Sequence, residues 1–319
     1  MKVLSLFDGI SCGMAALEKA GIQVDEYVAY EIDESAIKVS KSNYGQIVHC
    51  GDVTAADFGK YKGFDLLIGG SPCQGFSFAG KGLNFNDPRS KLFFEFVRAL
   101  KEVQPKYFML ENVVMKKEWS NVITEHMGVE PVQINSSLVS AQNRERLYWT
   151  NIPLSGPPED KGIILADVLE DVEMSDMGIV EGKRLKKATI IGRRLNENGH
   201  REDYNKDIPI TQCLEVRKTN TNKSNCLTTV DKDNVLTPLP YGRHVDAFKK
   251  KLPFRYLTAK EYCRLQTLPD DYTREVSESA AKRLLGNAWT VDVIAHILSG
   301  IKRKEQPKKR MEGVRNDTE

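Results

Sequence analysis

The chain has 319 residues, 40% of them hydrophobic and 28% charged, with a formal net charge of +2. That is long enough for one large domain or two smaller ones around a substantial core. No window approaches 18 apolar residues, which argues against a membrane-spanning helix, and the opening run is broken by Asp8 too early for a secretory signal. The six cysteines, at 12, 50, 73, 213, 226 and 263, form no CxxC pair. This excludes a zinc or disulfide framework, leaves no metal expected, and suits a reducing cytoplasm.

Residues 2–7 read as a first strand, and the turn from Asp8 to Gly13 leads into a helix carrying Met14 to Leu17. A second strand, Tyr27 to Tyr30, ends at Glu31, and a helix follows through about Tyr44. Residues 47–50 form a third strand ending at Gly51-Asp52. The apolar run from Phe64 to Gly70 contains a fourth, over 66–68, and delivers Ser71-Pro72-Cys73-Gln74. Residues 91–103 read as a helix with Phe93, Phe94 and Phe96 on one face, and Tyr107 to Leu110 as a fifth strand ending at Glu111-Asn112. Strands and helices alternating at this spacing predict an α/β fold with a doubly wound, mostly parallel sheet. In such a sheet ligands bind at the carboxyl ends of the strands.

After Pro153 the rhythm is lost. Residues 155–253 are polar, with Pro157-Pro158, a helical stretch at 163–170 and β-like pieces at 211–216 and 225–230. They predict a smaller, irregular second domain. From Lys183 to Lys223 there are 11 Lys/Arg against 5 Asp/Glu, whereas the first 150 residues carry 16 against 18. A basic middle segment is a candidate phosphate-facing surface, and equally a solvated charged face. Helical patterning returns at 258–266 and at 279–301, and the charged stretch from Lys302 onward reads as a disordered tail.

The first turn has Gly9 and Gly13 but no GxGxxG, and Asp8 would repel a pyrophosphate at that helix N-terminus. Glu31 stands where an acid accepts hydrogen bonds from ribose hydroxyls, and Asp52 can accept from an adenine amino group. With Phe7 available to stack, the pair suits S-adenosylmethionine better than a nicotinamide dinucleotide. Either acid alone caps a following helix as readily.

Pro72 fixes the turn that carries Cys73, although a free cysteine is also a common buried hydrophobe. Adjacent strand ends lie about 5–10 Å apart, so Cys73 and Glu111 can face one small ring. Arg144 and Arg146, two apart on a strand, point to one face; a surface ion-pair ladder with Glu145 is the alternative. A thiolate, an acid and two arginines suit nucleophilic attack on an electron-poor ring whose charge is stabilised. Cytosine is such a ring: thiolate addition at C6 makes C5 nucleophilic enough to attack a methyl sulfonium.

Pro72-Cys73-Gln74, Glu111-Asn112-Val113, Gln142-x-Arg144-x-Arg146, Phe7-x-Gly9 and Gly286-Asn287 resemble the ordered motif set of the cytosine-5 DNA methyltransferases, over residues 1–153 and about 254–301. Ser77 to Lys81 and Asp87-Pro88-Arg89 resemble the mobile catalytic loop of the bacterial enzymes. Phe7 to Ile10, Ile22 to Asp25, Phe64 to Cys73, and Leu284 to Gly286 with Trp289 are similar to the vertebrate de novo branch, which points to a bacterial or phage relative of that branch.

The resemblance implies the S-adenosylmethionine-dependent methyltransferase fold. Its catalytic domain would comprise 1–155 and 254–303, with a target-recognition domain inserted at 156–253 and a basic tail at 304–319. It implies that Cys73 attacks C6, that Glu111 binds N3 and the exocyclic amine, that Arg146 contacts O2 and that Arg144 supports the site. Phe7, Asp8, Gly9, Glu31, Asp52, Val53, Pro72, Asn287 and Trp289 would surround the cofactor. Gln74, Ser77 and Arg89 would contact DNA from the catalytic side, and Arg193, Arg194, Arg201, Arg217, Lys218, Thr228 and Thr229 from the recognition region. The implied substrate is a cytosine flipped from double-stranded DNA. The implied setting is restriction–modification, an orphan enzyme or phage self-protection, with a cognate endonuclease as a compatible partner and a monomer as the expected state.

Ser11 and Cys12 depart from glycines common in bacterial members, and Val230 stands where the de novo enzymes have arginine, so a CpG preference is not carried over. The nearest alternative is a tRNA cytosine-5 methyltransferase of the same fold. That branch carries a Cys-Phe-Thr tripeptide which this chain lacks. A catalytically inactive DNA-binding regulator would have lost the cysteine or the glutamate, and both are present.

Overall fold

The computed structural model describes residues 1–72, 88–170, 185–218 and 222–305, with the backbone alone for 88–91 and 302–305. Cys73, Gln74, Ser77 and the tail from 306 lie outside the described residues, and Arg89 is described only as backbone.

A seven-stranded sheet forms the larger lobe. The strands are β1 (Lys2–Leu6), β2 (Glu26–Tyr30), β3 (Val48–His49), β4 (Leu66–Gly70), β5 (Tyr107–Val113), β6 (Val132–Asn135) and β7 (Glu145–Thr150), in the order β3-β2-β1-β4-β5-β7-β6. The first five run parallel, while β7 is antiparallel to both β5 and β6. The chain winds outward from β1 through β2 to β3, then returns to the other side of β1 for β4 and β5. That reversal at the β1/β4 boundary opens a crevice at the strand ends.

The strands are near-continuous apolar runs because both faces are covered. Alternation divides them: Val3, Ile68 and Met109 face one cluster, and Leu4, Leu67 and Phe108 the other. The first cluster takes α1 (Cys12–Lys19), α2 (Glu34–Asn43), α7 (Glu278–Asn287) and α8 (Val291–Glu305). The second takes α3 (Pro88–Val103) through Phe93 and Phe96, and α4 (Lys117–Met127) through Trp119 and Ile123. No single helix among the described residues is long and apolar enough to cross a membrane.

The helical run expected over 279–301 is two helices. Gln266 accounts for the break: its carbonyl accepts from Val291 N at 3.0 Å and its Oε1 from Thr290 Oγ1 at 2.9 Å. Captured this way, residues 288–290 leave the helix and turn Trp289 towards the strand ends. The helix expected at 163–170 is a single turn, α5 (Leu165–Val168), and residues 225–230 form no strand.

The basic middle segment builds a second, antiparallel sheet from β8 (Lys186–Arg194), β9 (Ile210–Val216), β10 (Val235–Thr237), β11 (Gly242–His244) and β12 (Arg255–Tyr256), in the order β11-β9-β8-β10-β12. Ala188, Ile190, Leu214, Val216, Val235 and Ala247 form its small core. The apolar boundary does not follow residue 156, since Leu165, Val168, Leu227 and Leu236 pack into the first lobe's cluster. The chain re-enters that lobe through α6 (Ala259–Leu265), where buried Glu261 takes Arg255 at 2.8 and 2.7 Å and caps with Thr258.

Candidate active site

The turn after β1 is built on left-handed backbone, with φ of 56° at Phe7, 59° at Gly9 and 61° at Ser11. Only glycine takes this conformation without strain, so hydrogen bonds must hold the other two. Buried Asp8 ties the turn down beside them: Oδ1 accepts from Ser5 Oγ at 2.6 Å and Tyr27 OH at 2.7 Å, Oδ2 from Ser11 Oγ at 2.5 Å, and its N–H donates to Tyr30 O at 3.1 Å. The chain continues from Ser11 to Ser40 at 2.6 Å and from Ser40 to His49 Nε2 at 3.0 Å. Burial raises the Asp8 pKa against the pull of these hydroxyls. Asp8 borders the cavity, but both its oxygens brace the turn from beneath.

Glu31 at the end of β2 closes the turn from the other side. Its Oε2 accepts from Gly9 N at 2.7 Å, and its Oε1 from Ile32 N at 2.8 Å and Asp33 N at 2.9 Å. Asp33, which sequence reasoning passed over, lines the same cavity, caps α2 and takes Arg283 Nη1 at 2.5 Å. Its signal was available: an aspartate immediately before a helical run is an N-cap. Asp52 caps a short turn through Thr54 N at 2.8 Å, and neither it nor buried Val53 is among the cavity's lining residues. That separates them from Phe7, Gly9, Glu31, Pro72, Asn287 and Trp289, which do line it.

At the far side, Glu111 on β5 is 9% exposed. Its Oε1 meets Arg146 Nε at 3.1 Å and its Oε2 accepts from Trp289 Nε1 at 3.0 Å. Gly70 makes room for this group: a Cβ there would stand 2.9 Å from Glu111 Oε2 and 3.0 Å from Trp289 Nε1. Asn112 Nδ2 donates to Ser71 Oγ at 3.1 Å, anchoring the segment that leads into Pro72 and Cys73. Glu31 and Glu111 end strands three sheet positions apart, about 14 Å. One cavity of about 330 Å³ reaches both, within the range of ligand pockets.

Arg144 and Arg146 both reach Cys226 Sγ, at 3.3 and 3.6 Å, and otherwise diverge. Burial opposes the Arg146 charge, but the Glu111 carboxylate together with Cys226 and Tyr148 outweighs it and raises the pKa. Arg144 is 4% exposed, and its guanidinium donates to the carbonyls of Leu227 at 2.9 Å, Gly286 at 3.3 Å and Ala288 at 2.8 Å. Burial and the neighbouring Arg146 charge lower its pKa. Arg144 thus braces the second lobe against α7 at the cavity's edge, the supporting position that the motif implied. Gln142 does similar work, donating to Leu265 O at 2.6 Å and accepting from Leu227 N at 3.3 Å.

The basic residues of the second lobe separate as sharply. Arg193 is 8% exposed and lies between Glu215 at 3.1 Å and Asp203 at 3.6 Å, a buried strut within the second sheet. Arg194 donates to the carbonyls of Ile208 and Lys206, tying down the loop between β8 and β9. Arg201 is exposed and paired with Asp203, Arg217 is exposed and paired with Glu215, and Lys218 lies over the Tyr241 ring at 5.6 Å. Thr228 Oγ1 donates to Asp233 Oδ2 at 2.7 Å, and Thr229 is exposed beside it. Arg243, also exposed, was missed, because no charge run surrounds it. Among the described residues no group of three or more His, Cys, Asp or Glu could hold a metal ion.

Comparison with known proteins adds an independent line. The family profile described as C-5 cytosine-specific DNA methylase matches residues 1–303. The type II methyltransferase M.Eco47II of Escherichia coli is 31% identical over 95% of this chain and 80% of its own length. The type II methyltransferase M.HpaII of Haemophilus parainfluenzae is 28% identical over 91% and 86%. The orphan methyltransferase M.SPRI of Bacillus phage SPR is 40% identical over 48% of this chain and 38% of its own. Among solved structures, the Dnmt2 methyltransferase of S. pombe superposes with a TM-score of 0.65 at 22% identity, over 96% of this chain and 99% of that one. A putative DNA modification methyltransferase from an E. coli prophage gives 0.62 at 19%, over 95% and 99%. These structural likenesses establish the fold.

Proposed function

This chain belongs to the C-5 cytosine-specific DNA methylase family, and from that premise we propose that it methylates C5 of a cytosine flipped out of duplex DNA, with S-adenosylmethionine as donor. The observation that carries the reading is the Glu111 carboxylate held between Arg146 and Trp289 in a cavity that also reaches Pro72 and Glu31.

The cavity's chemistry fits the donor. Its turn side presents Glu31 and Asp33, and the cation beside them, Arg283, is already paired with Asp33. Such a surface disfavours a pyrophosphate and favours a nucleoside carrying positive charge. Phe7, Gly9, Glu31, Asn287 and Trp289 would hold the cofactor, which supplies an electrophilic methyl group when bound.

The protein's own residues would do the rest. Cys73, two residues after Ser71, supplies the thiolate that adds to cytosine C6. Once C5 carries the methyl group, loss of the C5 proton to water re-forms the C5–C6 double bond and expels the thiolate. One Glu111 oxygen keeps a lone pair that can accept from the cytosine amino group, and the other, when protonated, can donate to N3. Arg146, charged and held by Glu111, faces the O2 side and balances the charge that thiolate addition places on the ring. Relatives named as type II and orphan phage methyltransferases support a role in restriction–modification or phage self-protection.

The test is a Cys73→Ser variant on duplex DNA and a trapping assay on DNA containing 5-fluorocytosine. Methyl transfer is expected to vanish while DNA binding survives, because a hydroxyl is far less ionised than a thiol, and the covalent adduct should require Cys73. Near-native turnover by Cys73→Ser would refute the mechanism.

A further inference from the structure

Strand alternation puts Lys187, Thr189 and Arg193 of β8 and Glu215 of β9 on the sheet face opposite the small apolar core. Thr189 lies directly across from Glu215 in the ladder, and Glu215 directly across from Arg243 of β11. This face adjoins the active site. Lys187 Nζ donates to Asn225 Oδ1 at 2.9 Å, Asn225 Nδ2 to Thr189 Oγ1 at 3.3 Å, and the next residue, Cys226, touches both site arginines.

Glu215 is 6% exposed and gathers three guanidiniums. Oε1 accepts from Arg193 Nε at 3.1 Å and Arg243 Nε at 3.3 Å, and Oε2 from Arg217 through Nε at 3.1 Å and through Nη2. Burial alone would raise the Glu215 pKa, but the bonds from Arg193 and Arg217 outweigh it and hold the group below the usual range.

The three arginines are not equivalent. Arg193 is buried and turns its Nη1 to Asp203, and Arg217 commits two nitrogens to one oxygen. Arg243 is exposed and commits only Nε, so both its Nη groups are without a partner among the described residues. A guanidinium fixed at Nε presents its remaining donors as a planar fork, which matches O6 and N7 of guanine. A phosphate contact needs charge and no such aim, and a carboxylate beneath it partly cancels the charge.

We propose that Arg243 reads a guanine beside the target cytosine and that Glu215 is the positioning residue that aims it. Arg243 stands two strand spacings, roughly 10 Å, from Thr189, which places the base pair it reads within a few steps of the flipped base. The proposal rests on the DNA-methylating function above.

The experiment is methylation of a randomised-flank duplex library by the full chain at two salt concentrations. It compares wild type with Arg243→Lys, Arg243→Ala, Glu215→Gln and Arg217→Ala. Arg243→Lys keeps the charge and loses the fork, so preference for guanine at one flank position should fall about tenfold while the salt slope holds. Glu215→Gln should relax that same position, an effect that a merely structural role would spread over all positions. Arg217→Ala should weaken all flanks alike and reduce the salt slope by about 0.9.

Unchanged flank preference in Arg243→Lys overturns the proposal, and because that side chain is exposed the result stands even if Glu215→Gln fails to fold. A lower salt slope in Arg243→Ala with preference intact also overturns it, by identifying a phosphate contact. The wild-type arm tests the reaction separately: no methylation of any duplex refutes the function itself, whereas lost preference with methylation retained concerns recognition alone.

Discussion

Glu111 has its two oxygens on side-chain donors of β7 and of the segment after α7, whereas Glu31 has both of its own on backbone N–H groups of the first turn and its own strand end. The first arrangement poises a carboxyl against a ring; the second shapes a pocket. Glu111→Gln should therefore cut turnover by about 10²-fold, the scale of a general acid, with cofactor affinity close to native. Glu31→Ala should do the reverse, weakening S-adenosylmethionine by about 1.5–3 kcal/mol as charge-assisted hydrogen bonds are lost. Single-turnover rates and calorimetric titration separate the two. Equal loss of cofactor affinity in both variants would remove the division of labour. Both acids are legible in the sequence because each ends an apolar strand. The work of Asp8 and Arg144 is not, because it depends on partners such as Tyr27 and Ala288 that no local pattern announces.

Helix α2 begins on Asp33, whose Oδ1 accepts from Ser35 N at 2.9 Å while its carboxylate also takes Arg283 from α7. One residue thus caps one helix and ties it to another beside the cavity. Asp33→Ala should cost about 1–2 kcal/mol, most of it the lost cap, since the half-exposed ion pair is worth little. The Arg283 hydrogen bond, against the opposing effect of burial, lowers the Asp33 pKa in the folded state. The stabilisation is therefore present above the ordinary aspartate value near 4 and is lost as the pH falls through the folded value. Denaturant unfolding of both proteins from pH 7 to pH 3 should show the gap narrowing on the acid side. A gap that does not change with pH would mean that the charge plays no part. The break between α7 and α8 belongs to this scale too. The two helices share one apolar period, so nothing in the local pattern marks residues 288–290 as the place where Gln266 intervenes.

The two lobes meet where residues 224–229 pass between the Arg-x-Arg segment and α7. Gly286 sets the closeness of that meeting: a Cβ would stand 2.2 Å from Thr228 O, a backbone atom that cannot swing aside. Its carbonyl also accepts from Arg144. Gly286→Ala should push the Thr228 segment off α7 and lower the unfolding free energy by about 1–3 kcal/mol, the usual cost of overpacking. Methylation should fall with it, because Arg144 and Cys226 move with the segment. Thermal melts and activity on one duplex check this, and wild-type values for both would show that the contact opens freely.

The sequence by itself determined the layered α/β sheet, since strands buried on both faces must read as apolar runs and their helices as 3.6-residue patterns. It also placed Glu31 and Glu111 at the strand ends, which are visible as local changes of polarity. Pairings between distant residues were decided only by the tertiary structure. Trp289 meets Glu111 across 178 positions, and Arg243 meets Glu215 across 28. The same is true of the charge balance in the second lobe, where the 11 basic residues from Lys183 to Lys223 read alike in the chain. Burial and carboxylate partners make Arg193 a strut and leave Arg201 and Arg217 exposed on one carboxylate each. Local pattern records which groups a segment carries, whereas desolvation and pairing depend on what the rest of the chain packs against them.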